Sequence, residues 1–461
     1  MNASSSTSTT GLQFTHPHLA VVLGGGFTGM LAAAALSRHA DVIVVERERL
    51  PRTPALPTDL PQARHAHLLS ADGARTVDAL LPGVFDQWLV EGARSLPLPS
   101  GPADRVPQGR LSRRPAQYVI TCSRDLLDRV VREQVPALPG VTVLDGTEAE
   151  GLTGTAEHIT GVHVRDAVTG QGRRLDADLV VDATGHRSTT PDRLTALGLP
   201  AVHEETADAG IVCATRIFRA PPGAEDRLVI SVRSGADGGR APGRTATLVP
   251  IEGGRWLVTL TGTGGDRPTE HADRFVPFAR RLPHCVIGDL IADAEPLSEV
   301  RLTRDTASRL RRYEQLRSWP TGFVALGGAV ASFTPDYGQG LSIAAHSGLA
   351  LREAVRRRGL DDPTLARAVQ QSVARVVQAP WTAAGQETPA APAGSRPSAA
   401  TRLVRGAVDG VLGTAIGGPP VCRAYVDVVR PVLPKGRFAR PAAAVPESAA
   451  AASGRRGPAG R

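Results

Sequence analysis

Residues 19–46 read LAVVLGGGFTGMLAAAALSRHADVIVVE, and this stretch decides the fold. Leu19–Leu23 is a short apolar run, followed by Gly24-Gly25-Gly26-Phe27-Thr28-Gly29. Met30–His39 is Ala-rich with helix-forming composition, and Asp41–Val45 is a second apolar run ending at Glu46. The order is strand, Gly-rich turn, helix, strand, the opening unit of a dinucleotide-binding α/β fold. Gly24-x-Gly26-x-x-Gly29 has a mechanical reading: the first Gly makes the tight turn, and the second lets backbone approach a pyrophosphate. The third packs helix on strand, and the helix N-terminus offers free N–H groups. Glu46 stands where a carboxylate can accept hydrogen bonds from both ribose hydroxyls of an adenosine, with Arg47 directly after it.

Composition narrows the class. The chain has 461 residues, room for roughly two or three domains, and 41% hydrophobic residues, enough for a sizeable core. Its net charge is +8, from 53 basic and 45 acidic residues, and Lys435 is the only lysine. The basic residues are interspersed with acids and aromatics make up only 4%, so neither a basic stripe nor an aromatic stacking platform supports nucleic-acid binding. Cys122, Cys213, Cys285 and Cys422 are widely spaced, suggesting neither zinc site nor disulfide framework. His65 and His67 form an H-x-H with no third ligand at a recognisable spacing, so no metal is expected. No apolar run approaches the ~20 residues of a membrane span, and no secretory leader is evident, so the expected location is the cytoplasm.

Further along, Ser123 is placed to cap a helix with apolar positions Leu126, Leu127, Val130 and Val131. Strands are expected at Val141–Leu144 and Ile159–Val164, and at a run ending at Asp182. Between about Leu194 and Arg301 the pattern becomes antiparallel: Ile211–Phe218, Leu228–Val232, Thr245–Ile251 and Trp256–Thr261, with a hairpin turn at Glu252–Arg255. A strand at Phe323–Leu326 and a long helix over Leu341–Arg358 follow. Residues 1–17 and 442–461 read as disordered leader and tail, and Ala384–Ala399 as a loose linker.

The fingerprint alone does not separate NAD from FAD; two later segments do. Asp178–Ser188 reads DLVVDATGHRS and Phe323–Ala345 reads FVALGGAVASFTPDYGQGLSIAA. They resemble the second and third flavin-contact motifs of the class A FAD-dependent monooxygenases, the aromatic-hydroxylase-like family, in that family's order and spacing over residues 18–380. Within the family, PQARHAHLLSADGAR, ADLVVDATG, DAGIVCATRIFRAPPGA and IEGGRWLVTLTGT most resemble the polyene epoxidases of ionophore polyether biosynthesis.

The resemblance implies an α/β fold: a Rossmann-like FAD-binding domain over 18–194 and 300–380, with an antiparallel β-sheet substrate domain inserted at 195–299. A helical C-terminal section would occupy 381–441. It implies FAD held by Gly24, Gly26, Phe27, Thr28, Gly29, Glu46, Arg47, Arg64, Arg124, Gly328, Pro335, Gly338, Gly340 and Leu341. Arg124 would lie near the phosphates or ribityl chain, with Gln117 reaching the same region, and Arg64 would approach the flavin from its loop. The Pro335-x-x-Gly338-x-Gly340 turn would bring the helix from Leu341 against the flavin's pyrimidine end. The implied activity is epoxidation of alkenes on a polyketide or polyene, free or carrier-bound. It would run through a flavin C4a-hydroperoxide, with O₂ as cosubstrate and reducing equivalents from NAD(P)H directly or from a flavin reductase. No side-chain acid or base is singled out as catalytic. A hydrophobic, mostly non-aromatic lining is expected from the antiparallel strands and the loop at Phe333–Tyr337.

The sequence departs from the family at Gly328, where relatives carry an Asp that bonds a ribityl hydroxyl. Losing that contact removes about 1.5–3 kcal/mol of affinity unless backbone donors or Asp336 compensate. Thr184-Gly185 replaces the usual Asp-Gly of the second motif, which puts direct NADPH handling in question. The departure at Gly328 keeps an alternative open: a redox-neutral, FAD-containing cyclase of a polyketide intermediate, for example a [4+2] cyclisation.

Overall fold

The computed structural model describes residues 15–50, 65–97, 118–224, 229–234, 243–282, 284–334 and 339–386. Its centre is a parallel sheet in the order β18-β10-β1-β2-β6, with β1 at Leu19–Leu23, β2 at Asp41–Val45, β6 at Val141–Leu144, β10 at Leu179–Asp182 and β18 at Phe323–Ala325. Strands β2, β10 and β18 are buried along their whole length. That is why their sequences are continuous apolar runs rather than alternating ones. Neighbours β2 and β10 flank β1 on opposite sides, and a crevice at the carboxyl ends of such strands is where nucleotides bind in open α/β sheets.

Helix α1 spans Phe27–Leu36 and is buried on almost every side, so its alanines admit close neighbours. It starts three residues earlier than the composition suggests, because the Gly26 carbonyl already accepts the Met30 N–H at 3.0 Å. Helix α8 (Gly340–Arg358) packs along α1, and α9 (Leu365–Gln386) packs along α8. Helix α9 corrects the expectation of loose chain from Ala384: it continues through Pro380 to Gln386. Proline normally ends a helix. Here Val369, Val373, Val377 and Trp381 are buried at helical spacing, and the Trp381 indole N–H donates to Glu205 Oε2 at 2.8 Å. Residues beyond Gln386 fall outside the described part.

A three-stranded antiparallel sheet of β3 (Leu69–Ser70), β5 (Tyr118–Thr121) and β4 (Arg94–Pro97) lies beside α2 (Ala71–Leu80). Helix α4 (Arg124–Gln134) follows β5, and Ser123 caps it as expected, its Oγ accepting the Leu126 N–H at 3.1 Å. Another small sheet joins β7 (Thr147–Gly154), β8 (Ile159–Asp166) and β9 (Gly172–Asp176), and a third joins β11 (Glu204–Ala207), β17 (Ser308–Arg311) and β19 (Ala331–Ser332).

The larger antiparallel sheet has the order β13-β14-β15-β12-β16, from Val212–Arg219 (β12), Ile230–Ser234 (β13), Arg244–Ile251 (β14), Arg255–Gly262 (β15) and Arg301–Thr303 (β16). Gly253 and Gly254 close the β14–β15 hairpin with φ of +70° and +63°, a region costly for any side chain. On one face Ala214, Phe218, Leu248, Trp256 and Leu260 pack against α6 (Ala272–Arg280) and α7 (Val286–Ala292) through Phe275, Phe278 and Ile287. The far end of the other face, Val249, Ile251 and Leu257, is covered by Leu68 and Val119. Among the described residues no helix is long and apolar enough to cross a membrane.

Candidate functional site

The glycine turn is sterically specified. Gly24 holds φ at +99°, and a Cβ there would stand 2.7 Å from the Ala183 oxygen. A Cβ on Gly29 would stand 1.8 Å from the Gly24 oxygen, so helix and turn meet with no room for a side chain. Gly26 differs: a Cβ there would meet nothing within 4 Å. Gly26 is also the N-cap of α1, which has no side-chain cap and no acidic residue in its first turn. The N–H groups of that first turn, at Phe27, Thr28 and Gly29, have no intrahelical acceptor and carry the positive end of a helix dipole behind them, the chemistry that holds a pyrophosphate.

Glu46 is fixed beside this turn. Its Oε2 accepts the Gly25 N–H at 2.5 Å and its Oε1 the Glu48 N–H at 2.9 Å, leaving further lone pairs for hydroxyl donors. Gly25, which the fingerprint does not require, makes the approach possible, since a Cβ there would come within 3.0 Å of the Glu46 Cβ. Arg47 follows on the exposed rim. Arg124, the first residue of α4, lies 5.5 Å above the ring of Phe27 and donates from Nε to Asp128 Oδ1 at 2.7 Å. A cation is thereby held over the first residue of α1. The tip of the β14–β15 hairpin reaches the same place: Glu252 Oε2 accepts the Ser123 N–H at 2.9 Å, and Oε1 accepts from Arg255 at 2.8 Å.

The later segments converge on the same end of the sheet. Asp182 is buried, and its Oδ1 accepts from the N–H and hydroxyl of Thr184, its Oδ2 from the hydroxyls of Ser188 and Thr190. Its carboxylate is therefore committed to shaping the turn that follows. Single 3-10 turns at Gly185–Arg187 and Gly327–Ala329 face one another. The Arg311 guanidinium is 4% exposed and bridges them, donating to the carbonyls of His186 at 3.1 Å and Ala329 at 3.0 Å and to Glu204 Oε2 at 3.0 Å. Burial, reinforced by Arg187, holds the His186 imidazole below its ordinary pKa. A Cβ on Gly327 would stand 2.6 Å from the Thr28 hydroxyl, so this turn presses on the first turn of α1.

Gly328, where relatives carry Asp, is close to backbone: a Cβ would lie 3.1 Å from the Gly185 Cα. The two departures from the family pattern are thus neighbours in space. Gly340 opens α8, whose first turn likewise has no side-chain cap and no acid, and Leu341 is buried behind it. Arg64, Gln117, Pro335, Asp336 and Gly338 lie outside the described residues.

His65 belongs to a hydroxyl chain: its Nδ1 lies 2.7 Å from the Thr215 hydroxyl, which lies 2.8 Å from that of Thr259. The Ala66 N–H donates to Thr259 Oγ1 at 2.9 Å, so the segment leading to β3 rests on the face of the large sheet opposite α6 and α7. Phe218 and Trp256 point to the helices, and the face presented to residues 65–66 carries threonines together with Ile217, Val249 and Leu257. Sequence reading missed Gly25 and Arg311. The third consecutive glycine was a signal for the first, whereas nothing local marks Arg311.

Comparison with known proteins agrees with this geometry. A family model described as an FAD binding domain matches residues 19–351. The Mycobacterium tuberculosis protein Rv3254 is 31% identical over 350 residues, covering 74% of this chain and 73% of that protein. Among solved structures, Pseudomonas aeruginosa PqsL in complex with 2-aminobenzoylacetate is 20% identical with a TM-score of 0.56, covering 80% of this chain and 94% of that one. The myxobacterial FAD-dependent halogenase CndH is 17% identical with a TM-score of 0.58, covering 90% and 97%. The Diels-Alderase PyrE3 of pyrroindomycin biosynthesis is 17% identical with a TM-score of 0.57, covering 89% and 79%. At these identities the three structures speak to the fold alone.

Proposed function

Because the chain belongs to the FAD-binding domain family, we propose that it is an FAD-dependent monooxygenase that epoxidises alkenes of a polyketide intermediate. The observation that carries the reading is the uncapped N-terminus of α1 opening beside Gly26, with Glu46 and Arg124 fixed on either side. On this reading Gly24–Gly29 and Arg124 hold the pyrophosphate and Glu46 the adenosine ribose. The turns at 185–187 and 327–329 frame the ribityl chain, and α8 presents its N-terminal N–H groups to the flavin's pyrimidine edge, where negative charge grows on reduction. Pro335, Gly338, Gly340 and Leu341 would shape that approach, with Arg64 reaching in from its loop.

Reduced FAD supplies O₂ activation and an electrophilic oxygen atom when bound. The protein's own part is to orient the alkene between the large antiparallel sheet and the cofactor, exclude water and keep developing charge on the flavin beside backbone donors. NAD(P)H, directly or through a flavin reductase, would provide the electrons, and the substrate could be presented on a carrier.

Gly328 favours one second reading, a redox-neutral cyclisation of the same substrate class with FAD as scaffold. An enzyme that never cycles its flavin tolerates a weaker ribityl contact. One experiment separates the two. The polyketide intermediate that accumulates on deletion of the gene is incubated with the FAD-loaded protein, with and without a flavin-reducing system, and the product is weighed by mass spectrometry. Oxygen gain dependent on reductant and O₂ supports the monooxygenase. An isomer formed without reductant would replace it with the cyclase, and no conversion in either arm would remove both.

A further inference from the structure

Helix α8 starts with two unmet hydrogen-bonding needs side by side. Its first-turn N–H groups, at Gly340, Leu341 and Ser342, have no intrahelical acceptor, and no side chain caps them. The residue at the N-cap is Gln339, whose carbonyl accepts the Ile343 N–H at 3.0 Å. Short side chains such as Ser, Asp or Asn normally stand at an N-cap and turn back onto the helix. The longer Gln339 side chain does not, and its Oε1 is shielded from solvent without a hydrogen-bond partner among the described residues.

A buried amide oxygen left unbonded costs on the order of 1–3 kcal/mol. Other buried side-chain atoms without a partner are enclosed by protein. Trp256 Nε1 belongs to the cluster under α6 and α7, and the fully buried Gln370 lies against β18, its Oε1 accepting the Ala325 N–H at 3.1 Å. Gln339 differs, because the next residue, Gly340, is exposed and a Cβ there would meet nothing within 4 Å. The orphaned acceptor therefore lies beside an opening at the helix end. The helix end is itself braced against α2: Ser342 Oγ lies 3.1 Å from Ser70 Oγ, and His346 Nε2 lies 2.8 Å from Asp72 Oδ2.

Donors at a helix end with an acceptor immediately beside them match one kind of edge, a ring carbonyl adjoining a ring N–H, as in a cyclic imide. The isoalloxazine of FAD carries that edge at O2 and N3–H. We infer that Gln339 Oε1 accepts the flavin N3–H while the first turn of α8 donates to O2. Gln339 then sets the ring's position along the helix end and selects a flavin with an unsubstituted imide nitrogen. A neutral acceptor suits the place, since negative charge grows on the adjoining part of the ring on reduction. The inference rests on the proposed placement of the flavin's pyrimidine edge against α8 and names the side chain that reads it.

The test is titration of the apo-protein with FAD and with FAD methylated at N3, followed by flavin fluorescence. The wild type should bind FAD about tenfold more tightly than the methylated form, the equivalent of one well-made hydrogen bond. Gln339→Leu fills the same space without an acceptor and should lose most of that preference. Gln339→Glu keeps an acceptor oxygen and should retain it. An undiminished preference in the leucine variant, or its loss in the glutamate variant, would overturn the inference while leaving the flavin against α8. Equal binding of the two flavins by the wild type would overturn both the inference and that placement. The readout is a ratio of affinities and needs no turnover, so a failure of the monooxygenase reading, seen by mass spectrometry, is told apart from a failure of this contact.

Discussion

Gly26→Ala and Gly29→Ala, three residues apart, should fail in different ways. Gly26 has φ of −76° and ψ of −177°, accessible to alanine, and the added methyl would meet nothing within 4 Å. Its stability effect is the difference between a gain of about 0.4–1 kcal/mol from a less flexible unfolded chain and a loss of about 1 kcal/mol from a poorer N-cap. The melting temperature should therefore hardly move. The methyl would stand at the N-terminus of α1, where the proposed function sets the pyrophosphate. Displacing a phosphate from one or two charge-assisted hydrogen bonds, at about 1.5–3 kcal/mol each, weakens FAD binding on the order of 10- to 100-fold or more. At Gly29 the same methyl would stand 1.8 Å from the Gly24 oxygen, so turn and helix must separate whether or not a ligand is present. A loss of several kcal/mol of stability is expected there, together with the loss of FAD. The assay is thermal unfolding of the apo-protein by circular dichroism, paired with FAD titration followed by flavin fluorescence. Unchanged FAD affinity in a well-folded Gly26→Ala protein would refute the placement of the pyrophosphate.

Three further outcomes follow from the same geometry. Gly328→Ala should weaken FAD binding through crowding against Gly185, and Gly328→Asp should recover affinity relative to Ala. Equal affinities for the two variants, measured by the same titration, would show that a carboxylate there does not reach the cofactor. Arg311→Met leaves the buried carbonyl of Ala329 and the half-buried carbonyl of His186 without their donor, so urea unfolding should reveal a loss of about 3 kcal/mol and FAD affinity should fall with it. A variant as stable as wild type would sink the assignment of Arg311 as the brace between the two turns. Glu205 has its pKa lowered by the hydrogen bond from Arg312, with Trp381 adding to it. A depressed carboxyl contributes stability that is complete above its unfolded value of 4.5 and is lost as pH falls through the folded one. The melting temperature should thus drop below about pH 4.5 in wild type and drop less in Glu205→Gln; parallel pH profiles would show that this anchor of α9 contributes nothing.

Local rules carried much of the nucleotide fold. Val-rich runs without alternation mark strands buried on both faces, Ser123 marks a helix start through its own hydroxyl, and the glycine spacing marks a turn that permits no Cβ at positions 24 and 29. Each of these is written within a few residues, because the atoms that clash or bond are close along the chain. Glu46 was legible for the same reason, lying at the end of the strand that returns beside the turn.

What remained was decided by contacts between distant segments. Arg311 braces two turns, bonding His186 at 125 residues before it and Ala329 at 18 residues after it, and these partners are backbone carbonyls that no side-chain motif announces. Helix α9 outlasts Pro380 because buried valines and the Trp381–Glu205 bond hold it to the core, a gain invisible to helix propensity. The large sheet shows the limit most clearly. Alternation along β12, β14 and β15 puts threonines on the face opposite Phe218 and Trp256, but alternation assigns no direction. Only the packing of α6 and α7 on Phe218 and Trp256 determined which face those helices fill, and so turned the threonine face toward residues 65–66.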